Sequence, residues 1–440
     1  MSSYQIPPPA PPTSCTVPAL SSADPIHFPL SRRTGQLSTP NSYLALAERT
    51  RARYGVPSYG TPLGRHIVPR PDLELVAEVS AEFGGPPYDP CSIDHLNDQG
   101  ADTAYLIDIT IGTPPQSVAV LLDTGSADLW VAQSPCSACP SSSTLYDSAA
   151  SWTFSQNSTN ITTIAYGDGD QVSGTVARET VQLGPYPVTS QDFLKVNNLT
   201  GGTLWGSAAG LLGLAFAPIA ITTRSTLWQA AMEHNVVPRP EMAFWLKRGA
   251  PNDSPGGSFT FGGTNSSLFI GEVEFQNLAL PPETAGYWQL NVSAITLHGT
   301  TVEIASGAPS LSIIDVGTTL IGGPAEYVKA IWAAVPGSKP DIDMPGFYQF
   351  PCNTTVNITV SFGGTAWPIN PIDINIGPAS DGACLGAIFV LTETVSPFNV
   401  NWKNVYSVSR LTPPSIGFAE LSAVASDQCP LRALPCWHSH

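Results

Sequence analysis

Two aspartates lie in near-identical surroundings along this chain of 440 residues. Val120-Leu-Leu-Asp123-Thr-Gly-Ser126 returns as Ser312-Ile-Ile-Asp315-Val-Gly-Thr318, 192 positions later. An apolar run that ends in Asp and a small turn buries a carboxyl, and a lone buried carboxylate must be neutralised or hydrogen-bonded. Two facing carboxyls meet that demand by sharing a proton. Close like charges push their pKa values apart, which leaves one as acid and the other as base in a coupled pair. The ionised member can activate a water while the protonated member donates to the carbonyl under attack. This is general acid/base hydrolysis, and no metal or organic cofactor is expected. A single Asp-Thr-Gly reads as readily as an ordinary β-turn; the second copy, with a matching apolar lead-in, separates the two readings.

Carboxyls of this kind need two similar lobes, each offering one strand end. Composition agrees: 43 prolines, 38 glycines and 12% charged residues argue against a mostly helical chain. From Ala104 onward the sequence breaks into short alternating or apolar runs punctuated by Gly, Pro and Asn, as in Tyr105-Leu-Ile-Asp-Ile-Thr-Ile111 and Ser258-Phe-Thr-Phe-Gly262. Helices are expected only at Asn41–Arg53, with Asn41 and Ser42 as N-cap candidates, around Thr226–His234 and around Ala325–Val335. The expected class is all-β.

Charge is unevenly divided. Residues 1–70 carry seven arginines against Asp24 and Glu48, a net +5, whereas residues 71–440 carry 11 basic and 32 acidic side chains, a net −21. Basic residues are too few and scattered for a nucleic-acid surface. His27, His66, His95, His234 and His298 are dispersed, and the His438/His440 pair reads better as a solvated tail than as metal ligands, so no metal is expected.

Eight Asn-x-Ser/Thr sequons, at Asn157, Asn160, Asn198, Asn252, Asn265, Asn291, Asn353 and Asn357, fit passage through the secretory pathway to an extracellular or vacuolar destination. Eight cysteines fit an oxidising compartment, with Cys136/Cys139 and Cys352/Cys384 each able to close a local loop. A redox or zinc role for Cys136-Ser-Ala-Cys139 is the competing reading, but no second ligand pair follows at matching spacing. Partners for Cys15, Cys91, Cys429 and Cys436 are not assignable from sequence. Residues 1–23 hold Pro7, Pro8, Pro9, Pro11 and Pro12 and no apolar run of about seven residues, so a signal peptide is not evident there. No later stretch suggests a membrane span or lipid anchor.

The chain resembles the pepsin-like aspartic protease family from roughly Tyr105 to Leu421. The resemblance rests on Ile111-Gly-Thr-Pro-Pro-Gln116, on Leu122-Asp-Thr-Gly-Ser-Ala-Asp-Leu-Trp-Val131, on Ala165-Tyr-Gly-Asp-Gly-Asp170 and on Pro413-Pro-Ser-Ile-Gly-Phe-Ala-Glu-Leu421. It implies a bilobal fold with a cleft between two antiparallel β lobes. Asp123 and Asp315 become the catalytic pair; Thr124, Gly125, Ser126, Gly317 and Thr318 support them. Tyr166 becomes the tyrosine of a flap that closes over substrate, with Gly167 and Asp168 in its turn and Trp130 as the indole bonded to it. Gly210-Leu-Leu-Gly-Leu-Ala-Phe216 matches the segment that closes the first active-site loop, with Gly213 as its glycine. Ile26-His-Phe-Pro-Leu-Ser-Arg-Arg33 and the Tyr43–Arg53 segment resemble a fungal-type prosegment, whose positive charge would dock on the acidic body and loosen in acid.

Two departures stand out against the family pattern. Val316 replaces a threonine in the second motif. An apolar-apolar-Gly-Asp-x-Phe string is missing before Lys403-Asn-Val-Tyr-Ser-Val408, where Val395-Ser-Pro-Phe-Asn-Val-Asn-Trp402 stands instead. The expected organisation is a leader at 1–23, a basic prosegment and processing region at 24–95, an N-terminal lobe at 96–265, a C-terminal lobe at 266–421 and a tail at 422–440. The expected activity is cofactor-free endopeptidase hydrolysis at acidic pH by a monomer. Its partners are a peptide or protein substrate and its own prosegment, without nucleic acid or membrane anchor. The alternative is a catalytically inactive relative that binds peptides in the same cleft. A glycan-rich wall protein would leave both Asp-x-Gly motifs unexplained.

Overall fold

The computed structural model describes residues 25–32, 40–54, 56 and 105–426, apart from 137, 167–170, 201–202, 205, 223–224, 248–255, 319, 380, 393–397 and 401–402. The leader expected at 1–23, most of the C-terminal tail, Cys15, Cys91, Cys429, Cys436 and Asn252 lie outside the described residues.

The first lobe is built on an eight-stranded sheet. Strand Tyr105–Ile111 turns its apolar side chains inward and leaves Asp108 exposed, and it pairs antiparallel with Gln116–Asp123. The last four residues of that second strand are all buried, as an inner strand covered on both faces requires. Gln116–Asp123 then runs parallel to Ala208–Gly213, which sets Gly213 opposite Asp123, and Ala208–Gly213 pairs antiparallel with Leu129–Ala132. A side chain at 213 has no room, because a Cβ there would lie 2.4 Å from the Ala127 backbone carbon.

The second lobe repeats the plan. Strand Leu311–Ile314, which leads into Asp315, runs parallel to Phe398–Val400, and that strand meets Ile321–Pro324 antiparallel at Gly322. The sequence repeat is therefore a structural repeat of a motif strand, a following strand and a third strand that returns between them.

A six-stranded sheet joins the lobes. Its order is Ile26–Pro29, Gly257–Phe261, Glu241–Leu246, Tyr406–Arg410, Ser415–Leu421 and Phe269–Asn277. The outermost strand comes from the segment before the first lobe, with Ile26 opposite Phe261 and Phe28 opposite Phe259.

Helix α1, Pro40–Arg53, lies on the second lobe. Its buried Tyr43 and Ala47 join Leu320, Met344, Phe347, Leu385, Phe389 and Leu391 in one apolar cluster. Arg51 is fully buried there: Nε and Nη2 donate to the Val390 carbonyl, Nη1 meets Glu48, and the guanidinium lies over the Phe389 ring. The two other helices expected from sequence form at Leu227–Glu233, capped by Thr226, and at Ala325–Ala333. Among the described residues no helix is long and apolar enough to cross a membrane.

Candidate active site

Both aspartates are buried at the ends of their strands, Asp123 at 2% exposure and Asp315 at 0%. Each turn folds its own backbone onto the carboxylate: the Gly125 N–H donates to Asp123 Oδ1 at 2.9 Å and the Gly317 N–H to Asp315 Oδ1 at 2.8 Å. The Ser126 hydroxyl donates to Asp123 Oδ2 at 2.8 Å. Thr318 is buried beside the second turn.

The loops are joined directly through Thr124. Its hydroxyl donates to the Ile314 carbonyl at 3.0 Å and accepts from the Val316 N–H at 2.9 Å. Val316 is buried as well, but it has no hydroxyl with which to make the reciprocal pair. The direct bridge is one-sided.

The first loop is also laced to the segment after Gly213. Leu214 N–H donates to the Asp123 carbonyl at 2.7 Å and Ala215 N–H to the Ser126 carbonyl at 2.8 Å. The buried Asp128 carboxylate accepts from the N–H groups of Ile221 and Thr222 and from the Thr222 hydroxyl. In the second lobe the described strand ends at Val400, opposite Ile314, and Asn401 and Trp402 lie outside the described residues. A strand thus stands beside the residues that lead into Asp315, although the sequence carries no glycine in it.

Trp130 is fully buried, and its Nε1–H donates to the Tyr166 hydroxyl at 2.7 Å. Tyr166 follows the strand Ser155–Ala165, the outer member of a hairpin with Gln171–Leu183. Gly167 and Asp168 lie outside the described residues.

Sequence reasoning missed Tyr54. It follows α1 by one residue, its hydroxyl donates to Asp315 Oδ2 at 2.8 Å, and its ring meets Tyr287 edge-on with centroids 5.7 Å apart. The only local signal was an aromatic residue at the end of a basic helix. Trp288 was missed too; it is buried at 1% exposure against the first loop's return segment.

Cys136–Cys139 and Cys352–Cys384 are both disulfides. Asn160, Asn198, Asn291, Asn353 and Asn357 are exposed, Asn265 is half-buried, and Asn157 lies in the outer hairpin strand. Among the described residues no group of three or more His, Cys, Asp or Glu side chains is arranged to hold a metal ion.

The family model described as eukaryotic aspartyl protease matches residues 104–421. Major aspartyl peptidase 1 of Cryptococcus neoformans var. grubii is 34% identical over 351 residues, which cover 74% of this chain and 70% of the relative. An aspartic protease of Phaffia rhodozyma is 29% identical over 341 residues, covering 74% and 78%. Vacuolar protease A of Arthroderma otae is 30% identical over 330 residues, covering 72% and 79%.

Proposed function

The chain belongs to the eukaryotic aspartyl protease family, and from that membership we propose that it is an acid endopeptidase held latent by its own amino-terminal segment. One observation carries the catalytic reading: Thr124 bonds across to both residues that flank Asp315, so the two carboxyl-bearing turns face one another. One carboxyl then holds the shared proton and the other is ionised. The ionised group takes a proton from a water as that water attacks the peptide carbonyl, and the protonated group donates to the carbonyl oxygen. Proton return to the leaving nitrogen completes cleavage without a cofactor.

Preorganisation comes from the turns. Gly125, Ser126 and Gly317 aim fixed donors at the carboxylates, so the charged forms need no reorganisation when the reaction begins. Tyr166, backed by the Trp130 indole, is the reading's flap residue, and an extended peptide would lie beneath it with its main chain paired and its side chains in pockets. Latency follows from Tyr54, because its hydroxyl occupies a carboxylate oxygen that the reaction needs. The sequons and two disulfides support a route through the secretory pathway, as does the vacuolar name of the Arthroderma otae relative.

Peptide binding without hydrolysis is the second reading. Val316 favours it, because a missing hydroxyl loosens the dyad without removing either carboxyl. Cleavage of an unfolded protein between about pH 2 and 7, compared across the processed chain, Asp123→Asn and Asp315→Asn, separates the two. Acid-dependent hydrolysis lost in both variants supports the endopeptidase. A folded, processed chain that binds peptides but does not cleave them supports the binding reading.

A further inference from the structure

We propose that Trp288 is a positioning residue, a second tether between the aspartate loops that supplies the connection Val316 cannot make. Its kinetic arm rests on the endopeptidase reading; its stability arm does not.

Trp288 bonds the return segment beside the first loop and the strand leading into the second, by hydrogen bonds of opposite sense. Its indole Nε1–H donates to the Leu214 carbonyl at 2.8 Å, and the Leu214 N–H donates to the Asp123 carbonyl at 2.7 Å. Its own carbonyl accepts from the Ile314 N–H at 3.0 Å, one residue before Asp315. A continuous path therefore runs from Asp123 through Leu214, Trp288 and Ile314 to Asp315. Thr124 reaches the same Ile314 from the other side, through its carbonyl, so the second loop is held at one residue by two independent contacts.

Packing fixes the indole in place. Its ring lies 4.4 Å from Phe216 and 5.4 Å from Trp228, centroid to centroid, and both partners belong to the first lobe. The Phe216 N–H donates to the Gly286 carbonyl at 2.9 Å. Gly286 has φ +74° and sits so close that a Cβ would meet Ile219 Cγ2 at 2.4 Å, so only glycine allows the segment 286–288 to approach. The segment is thus seated against the first loop's return strand by two hydrogen bonds and three aromatic rings.

A buried tryptophan is ordinarily core packing, and Trp228 is the internal comparison. It belongs to the same cluster, but its Nε1–H donates to the Ala215 carbonyl within its own lobe. If ring packing alone matters, loss of either indole N–H has the same consequence. If Trp288 tethers the dyad, only its loss is coupled to position 316. By the local two-fold relation between the turns, the hydroxyl of a threonine at 316 would donate to the Leu122 carbonyl and accept from the Thr124 N–H.

The test is a double-mutant cycle on the full chain after processing, with Trp288→Phe, Val316→Thr and the pair, and Trp228→Phe with and without Val316→Thr as the control. Melting temperature, kcat, KM and the pH profile of kcat/KM are measured for each. Trp288→Phe is expected to lower kcat by about 10-fold or more with KM changed less than about 2-fold, which marks an interaction made in the transition state. Val316→Thr should recover at least half of that loss on a logarithmic scale and give non-additive melting temperatures, because the two sites share the loop they hold. In the Trp228→Phe background, Val316→Thr should be additive. Equal effects of the two tryptophan variants on kcat, or additivity in both backgrounds, overturn the proposal. If the wild-type chain does not hydrolyse, the melting cycle decides alone: coupling at Trp288 keeps the tether while the endopeptidase reading falls, and additivity removes the tether.

Discussion

Thr124 and Tyr54 each bring a single hydroxyl to the aspartate turns. Thr124→Val would leave the Ile314 carbonyl and the Val316 N–H buried without their partner, at about 1–3 kcal/mol each. The processed variant should therefore lose more than about 100-fold in kcat and melt at a lower temperature, readable by steady-state kinetics and calorimetry. Tyr54→Phe keeps the ring against Tyr287 but removes the bond to Asp315. A hydrogen bond to a charged group contributes about 1.5–3 kcal/mol, so the unprocessed variant should show about 10- to 100-fold more hydrolysis than the unprocessed wild type. Under the proposed processing, which removes Tyr54, the mature forms should be identical. Asp123, Asp315 and the gap at Val316 were legible in the sequence because each belongs to a short string with its own local signature. Tyr54 and Trp288 were not, because their importance depends on where α1 and the 286–288 segment land in space.

Secondary elements were legible where local propensity and tertiary demand agree. Asn41–Arg53 has good helix formers, and α1 forms over Pro40–Arg53; the run Tyr105–Ile111 alternates, and it is a strand. The pairing of strands was hidden, since Met242 lies opposite Ser409 and Glu274 opposite Phe418, and no local pattern encodes such partners. The strand Phe269–Asn277 also supplies a pH-sensitive clasp. Glu274 accepts from the Thr365 hydroxyl and N–H and from Gln276, and the Thr365 hydroxyl above all holds its carboxyl below the usual glutamate value. A depressed carboxylate stabilises the folded chain above the unfolded glutamate pKa, about 4.3, and that contribution is lost as pH falls through the lower folded value. Thr365→Val should therefore melt below wild type at neutral pH, by about 1 kcal/mol or less for so accessible a group. The gap should close as the pH drops below about 4. Paired thermal scans at neutral and acidic pH check both halves of the statement.

At the scale of the whole molecule, residues 1–70 carry a net +5 and residues 71–440 a net −21. A peptide spanning residues 24–70, added to the processed enzyme, should inhibit it, and inhibition should weaken as salt rises from about 0.05 to 0.5 M. The association rate should carry most of the change, because the buried contacts of α1 are an apolar cluster and the Val390 carbonyl. Dissociation should respond little. Stopped-flow binding at several ionic strengths separates the two rates. The six-stranded sheet has a further consequence, which concerns the order of synthesis. Two of its inner strands, Tyr406–Arg410 and Ser415–Leu421, are the last described strands of the chain, whereas one of its outer strands, Ile26–Pro29, is the first. While the ribosome is still elongating, Glu241–Leu246 and Phe269–Asn277 both lack the neighbours that will lie between them. Those two edges can only be covered once residues 406–421 have emerged, so the lobes are joined after both have been made, and contacts this distant in sequence form slowly. A message cut short after codon 400 would give a chain whose first lobe can fold but whose central sheet has no middle, with two adhesive edges exposed to its neighbours.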